Sequence, residues 1–170
     1  MDELKIAAFD DDDLKVISAH LQDAIIRICD IDFNTKTRQF VLVANRFSWE
    51  LEAGDKNKTQ RQTPDGPTGL RKRTGLMFAG VLSAKSQLIK QGAPEAVLNL
   101  LAVEFVAGTE PPSGEIKLLF SGGGVIELEV ECVEVIMEDL GAGWETENIP
   151  SHDELDREAL GNNVASDNQE

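Results

Sequence analysis

The stretch "SGGGVIELEVECVEVIMEDL", residues 121–140, decides how the rest of the chain is read. Three successive glycines either cradle a phosphate or turn the chain. Ile116, Leu118 and Phe120 alternate before them, and Ile126, Leu128, Val130 and Cys132 alternate after them, with Glu127, Glu129 and Glu131 on the opposite face. A period of two on both sides means strands, and glycine between strands supplies the positive φ of a tight turn. A phosphate-binding loop would close on Lys and Ser/Thr, and a dinucleotide fingerprint would space its glycines G-x-G-x-x-G and open a helix. Neither pattern is present, so Gly122–Gly124 predict a hairpin turn. At Cys132 the period changes. Val133, Ile136, Met137 and Leu140 fall at i, i+3, i+4 and i+7, which predicts an amphipathic helix stopped by Gly141 and Gly143, with Trp144 packing back on the body.

Upstream, Leu4, Ile6 and Ala8 predict a first strand. Asp10–Asp13 then precede Leu14, Ile17, Leu21 and Ile25, the signature of a helix with acids at its N-terminus, expected to end near Asp23. "AIIRICDIDF" and "RQFVLVANRFSW" flank the polar Asn34–Thr37 and predict a hairpin whose second strand is apolar on both faces and so expected to be covered on both sides. Residues 50–73 show no apolar periodicity and predict a long loop, basic because 56–73 hold six cations against Asp65. "TGLMFAGVLSAKSQL" reads as extended with a bulge at Gly80, and "EAVLNLLAVEFVAG" as helix or strand, with Val103, Phe105 and Val106 favouring strand and Pro94 able to start a helical turn. The expected fold is α+β: a mainly antiparallel curled sheet or small barrel, of pleckstrin-homology-like closure, with an N-terminal and a C-terminal helix. Residues 1–145 form one expected globular domain, and 146–170, with acids predominating, an expected disordered tail.

The chain has 170 residues and a net charge of −15, with eight acids and one base in residues 141–170. That field disfavours phosphate backbones and anionic membranes, so nucleic acid is an unexpected partner and no membrane association is expected. No apolar run reaches the roughly 18 residues that cross a bilayer. The N-terminus is acidic where an export signal is basic, so a cytoplasmic location is expected. Two cysteines, Cys29 and Cys132, make no disulfide framework and are expected as reduced core thiols.

The blocks "SAHLQDA" (18–24), "NRFSWE" (45–50), "SGGGVIELEVECVE" (121–134) and "DLGAGW" (139–144) resemble an alphaproteobacterial family, domain of unknown function 2948. The resemblance covers most of residues 1–150 and implies a bacterial protein. It carries over no activity, cofactor or catalytic residue.

Among candidate sites, Asp10–Asp13 read as a solvated helix cap, since four adjacent carboxylates diverge and lack the spacing of a calcium loop. His20 and Asp23, three apart, suggest a base oriented by a carboxylate, but no nucleophile accompanies them. Arg46 reads either as a polar recognition point at a strand end or as the partner of one of the many acids. Arg71, Lys72 and Arg73, at the junction of the basic loop with the next strand, are the expected grip on an acidic protein partner, on RNA phosphate or on the chain's own acidic tail. Expected as exposed loop residues, they should be replaceable by Ala without loss of stability. No cofactor or metal is expected. The sequence thus favours a small non-enzymatic binding or adaptor domain acting through the basic loop or an exposed sheet face. The rival is an enzyme or accessory subunit using a pocket around His20 and Asp23, and a weak RNA binder comes third. Ligand and oligomeric state stay open.

Overall fold

A computed structural model describes residues 3–48, 61–63, 66–90, 92–141 and 144–146. Strand β1 (Lys5–Ala8) forms where the alternation predicts, and helix α1 (Asp11–Leu21) follows it. Asp10 caps the helix by accepting from the Asp13 N–H at 2.8 Å, while the Asp13 carboxylate accepts from the Phe9 N–H at 3.2 Å. These bonds satisfy one donor the helix leaves orphaned, the Asp13 N–H, and tie down the Phe9 N–H just before the cap. Leu14, Ile17 and Leu21 are its buried residues.

Strands β2 (Ala24–Asn34) and β3 (Gln39–Phe47) make the expected hairpin. Asn34 Oδ1 accepts from the Lys36 and Thr37 N–H groups, a side chain imitating a backbone turn. Further on come β4 (Arg61–Thr63), β5 (Gly66–Phe78), β6 (Val81–Gln87) and β7 (Val97–Ala107), then β8 (Gly114–Phe120), β9 (Val125–Val130), β10 (Val135–Asp139) and β11 (Trp144–Thr146). The glycine question resolves as the alternation predicts. One 3-10 turn, Ser121–Gly123, joins β8 to β9, with Gly122 and Gly123 at φ of +78° and +87°.

Nine strands run in the order β1-β10-β5-β3-β2-β7-β8-β9-β6, every pair antiparallel, and β4 and β11 pair with β5 off this path. Only Ala79 and Gly80 separate β5, third along the path, from β6 at its end. The three Cα steps from Phe78 to Val81 reach no more than about 11 Å, so the end of the sheet must curl back towards its third strand. The Glu131 N–H donates to the Gly80 carbonyl at 3.0 Å, and the Val81 N–H to that of Arg38 at 2.9 Å. The core fills the concave side, where α1 packs on β7, β1 and β3 beside Phe40, Leu42, Leu76, Phe78 and Leu128.

Four expectations need correction. The C-terminal helix over 133–140 is strand β10: its pairing with β1 on one side and β5 on the other consumes the backbone groups a helix would use internally. The sheet is curled but not closed, because β1 and β6 do not pair, and among the described residues α1 is the one α-helix; a pleckstrin-homology-like barrel therefore does not describe it. The long loop ends earlier than expected, since Arg61–Thr63 and residues 66–73 lie in strands, with Arg71, Lys72 and Arg73 in register against Phe47, Arg46 and Asn45. Gly80, at φ +64°, turns the chain between two strands; the irregular register lies instead at Leu82. The expected tail beyond residue 146 lies outside the described residues.

Candidate functional site

Register brings four polar side chains together on the concave face. Arg46 pairs in register with Lys72, and Ala44, Thr74 and Asp139 form the adjacent row. The Arg46 guanidinium donates to both Asp139 oxygens, at 2.9 and 2.8 Å, with both side chains 0% exposed. Thr74 Oγ1 donates to the same carboxylate at 2.7 Å and the Leu4 N–H at 3.0 Å, while Lys72 Nζ lies 3.7 Å away. Burial alone would push the Asp139 carboxyl up. The donors from Arg46, Thr74 and Leu4 outweigh it and hold the group down at about 2. A bidentate pair this enclosed is a positioning device for three segments of chain.

The sequence-predicted basic residues therefore divide. Arg46 is buried on Asp139. Arg71 is 5% exposed, with its Nη1 3.4 Å from the Asn45 carbonyl, and the Lys72 side chain is 12% exposed. Arg73 alone of the three faces solvent. Replacing all three by Ala is thus not a neutral change, because two of them are enclosed by the fold. His20 sits half-buried in the last turn of α1. Asp23, just beyond it at φ +63°, has an Oδ1 that is buried without a hydrogen-bond partner among the described residues. Cys29 is exposed rather than in the core. It lies in the irregular stretch of β2 between Ile26 and Ile31, where alternation breaks and its N–H donates to the Pro94 carbonyl. Cys132 is half-buried. Among the described residues, no group of three His, Cys, Asp or Glu side chains is placed to hold a metal ion.

The convex faces of the two halves of the sheet differ in kind. On β7-β8-β9-β6 the register aligns Glu104, Lys117, Glu127 and Lys85 across four strands, alternating in sign. A groove of about 540 Å³ lies beside this row, lined by Leu82, Val106, Glu115 and Glu129 among others. Its charges have local partners: Lys117 lies 3.7 Å from Glu115, and Ser83 Oγ donates to Glu129 at 3.0 Å. On β3-β5-β10-β1 the corresponding row is Val41, Met77, Ile136 and Ala7, and the next is Val43, Gly75, Glu138 and Lys5. A groove of about 340 Å³ runs over these rows, with Leu140 as one wall and Gly75 in its floor. A Cβ at Gly75 would stand 3.4 Å from a Leu140 methyl, so the missing side chain is what keeps the groove open. Val41 and Leu140 are 36% and 46% exposed. Sequence reasoning expected β3 to be covered on both sides and so missed this face; its signal was the second apolar set, Val41 and Val43, on a strand already carrying Phe40 and Leu42.

No described helix is long and apolar enough to cross a membrane. A family described as "Protein of unknown function (DUF2948)" matches the chain over residues 4–152. No curated protein and no solved structure matches it.

Proposed function

We propose, on the premise that this chain belongs to the DUF2948 family, that it is a small protein-binding domain whose contact surface is the convex face of β3-β5-β10-β1. The observation that carries this reading is the apolar row Val41–Met77–Ile136, with Val41 and Leu140 exposed and Met77 and Ile136 half-buried, in a sheet whose other convex face carries a row of charges alternating in sign. A contiguous apolar patch rimmed by charge is costly to leave in water, and on soluble domains it marks contact surfaces. The floor of the groove also lacks the converging donors and acceptors that orient a small substrate, since interior strands spend their backbone groups on the ladder.

The test is position-specific photocrosslinking in cells. A benzophenone amino acid at Val43, beside Gly75, should give a discrete protein adduct; the same probe at Lys85, on the charge-laddered face, should give none. Equal adducts from both positions, or none from Val43, would remove the proposal.

A further inference from the structure

Resting on that reading, we infer that the groove over Gly75 takes a short extended segment of a partner protein that carries an apolar side chain and, two residues away, a carboxylate. The argument is one of shape and charge. The lining from Val41, Met77, Ile136 and Leu140 is apolar, and a volume of about 340 Å³ suits one or two side chains rather than a folded element. Gly75 and Arg73 lie on the same convex face of β5 two residues apart, which is about 7 Å. An extended peptide presents residues i and i+2 on one face at that same spacing, so a side chain seated over Gly75 brings the second one to Arg73. The Arg73 side chain is exposed and makes no hydrogen bond or ion pair with any described residue, while the Arg73 carbonyl accepts from the Leu140 N–H at 2.7 Å. In the other direction Glu138 stands beside Gly75, with Lys5 opposite it in register, so the anion on this rim already has a cation within reach. Among the described residues the surplus charge at the groove is therefore positive, in a chain whose net charge is −15. A second copy of the chain is the weaker occupant, because two molecules of that charge repel.

The experiment is selection of a phage-displayed random heptapeptide library on the full-length chain, with the enriched peptides measured by fluorescence anisotropy. The expected consensus is apolar-x-Asp/Glu. Binding should weaken at least tenfold with Arg73→Glu, which lies at an exposed position and leaves the core intact, and at least tenfold with Gly75→Val, whose side chain fills the groove. Replacing the peptide's acid by Lys should abolish binding to the wild type and restore it to Arg73→Glu. A basic consensus, no enrichment, or unchanged affinity for Arg73→Glu would overturn the inference. So would a wild-type dimer in sedimentation equilibrium that Gly75→Val dissociates, since the groove would then belong to a second copy. Adducts from Val43 alongside a basic consensus would sink this inference alone, whereas adducts spread over both faces would sink the underlying reading.

Discussion

Asp139 ties three separate stretches of chain to one carboxylate: β3 through Arg46, β5 through Thr74, and the entry to β1 through the Leu4 N–H. Its folded-state pKa of about 2 lies below the ordinary value of 3.8. The unfolded state therefore binds the proton more readily, and the network's contribution is present above about pH 4 and lost as pH falls through about 2. The shift corresponds to about 2 kcal/mol. Asp139→Asn should cost roughly 3–5 kcal/mol at neutral pH, because it leaves the Arg46 charge enclosed without its counter-ion. In urea unfolding, the gap between wild type and variant should narrow by about 2 kcal/mol between pH 4 and pH 2. A constant gap would mean that Asp139 is not the titrating group. Little of this was legible beforehand. The sequence shows an arginine amid many acids, but Arg46 and Asp139 are 93 residues apart and only the register of β3, β5 and β10 selects one acid for it.

At the scale of elements, the hairpins were legible because a period of two survives wherever one face is core and the other is polar. The β8–β9 turn illustrates the local chemistry. A Cβ at Gly122 would meet nothing within 4 Å, so only its φ of +78° opposes a side chain. Gly122→Ala should therefore cost about 1 kcal/mol, purely as backbone strain, read as a shift of the denaturation midpoint at unchanged m-value. Strand β10 was misread for a reason that bears on function. Val135 and Met137 supply its core face, while Ile136 and Leu140 add apolar residues of the opposite parity. Together with Val133 they imitate the spacing of a helix. The residues that obscured the strand are those that line the exposed groove. Likewise, Arg71 and Lys72 made the start of β5 look like loop because cations enclosed by a fold look the same in sequence as cations in water.

For the whole molecule, charge and curvature set the behaviour. With a net charge of −15, self-repulsion opposes the folded state. Raising NaCl from about 0.01 M to about 1 M shortens the screening length from about 30 Å to about 3 Å. The melting temperature should accordingly rise by a few degrees, followed by differential scanning fluorimetry; a fall would show that surface ion pairs such as Arg38–Glu131 outweigh the repulsion.

The bond from Leu4 to Asp139 spans 135 positions of sequence. On a ribosome adding roughly 5–20 residues per second, the first strand therefore waits on the order of ten seconds or more for the one that flanks it. Until then its hydrophobic side chains are open to whatever binds nascent polypeptides.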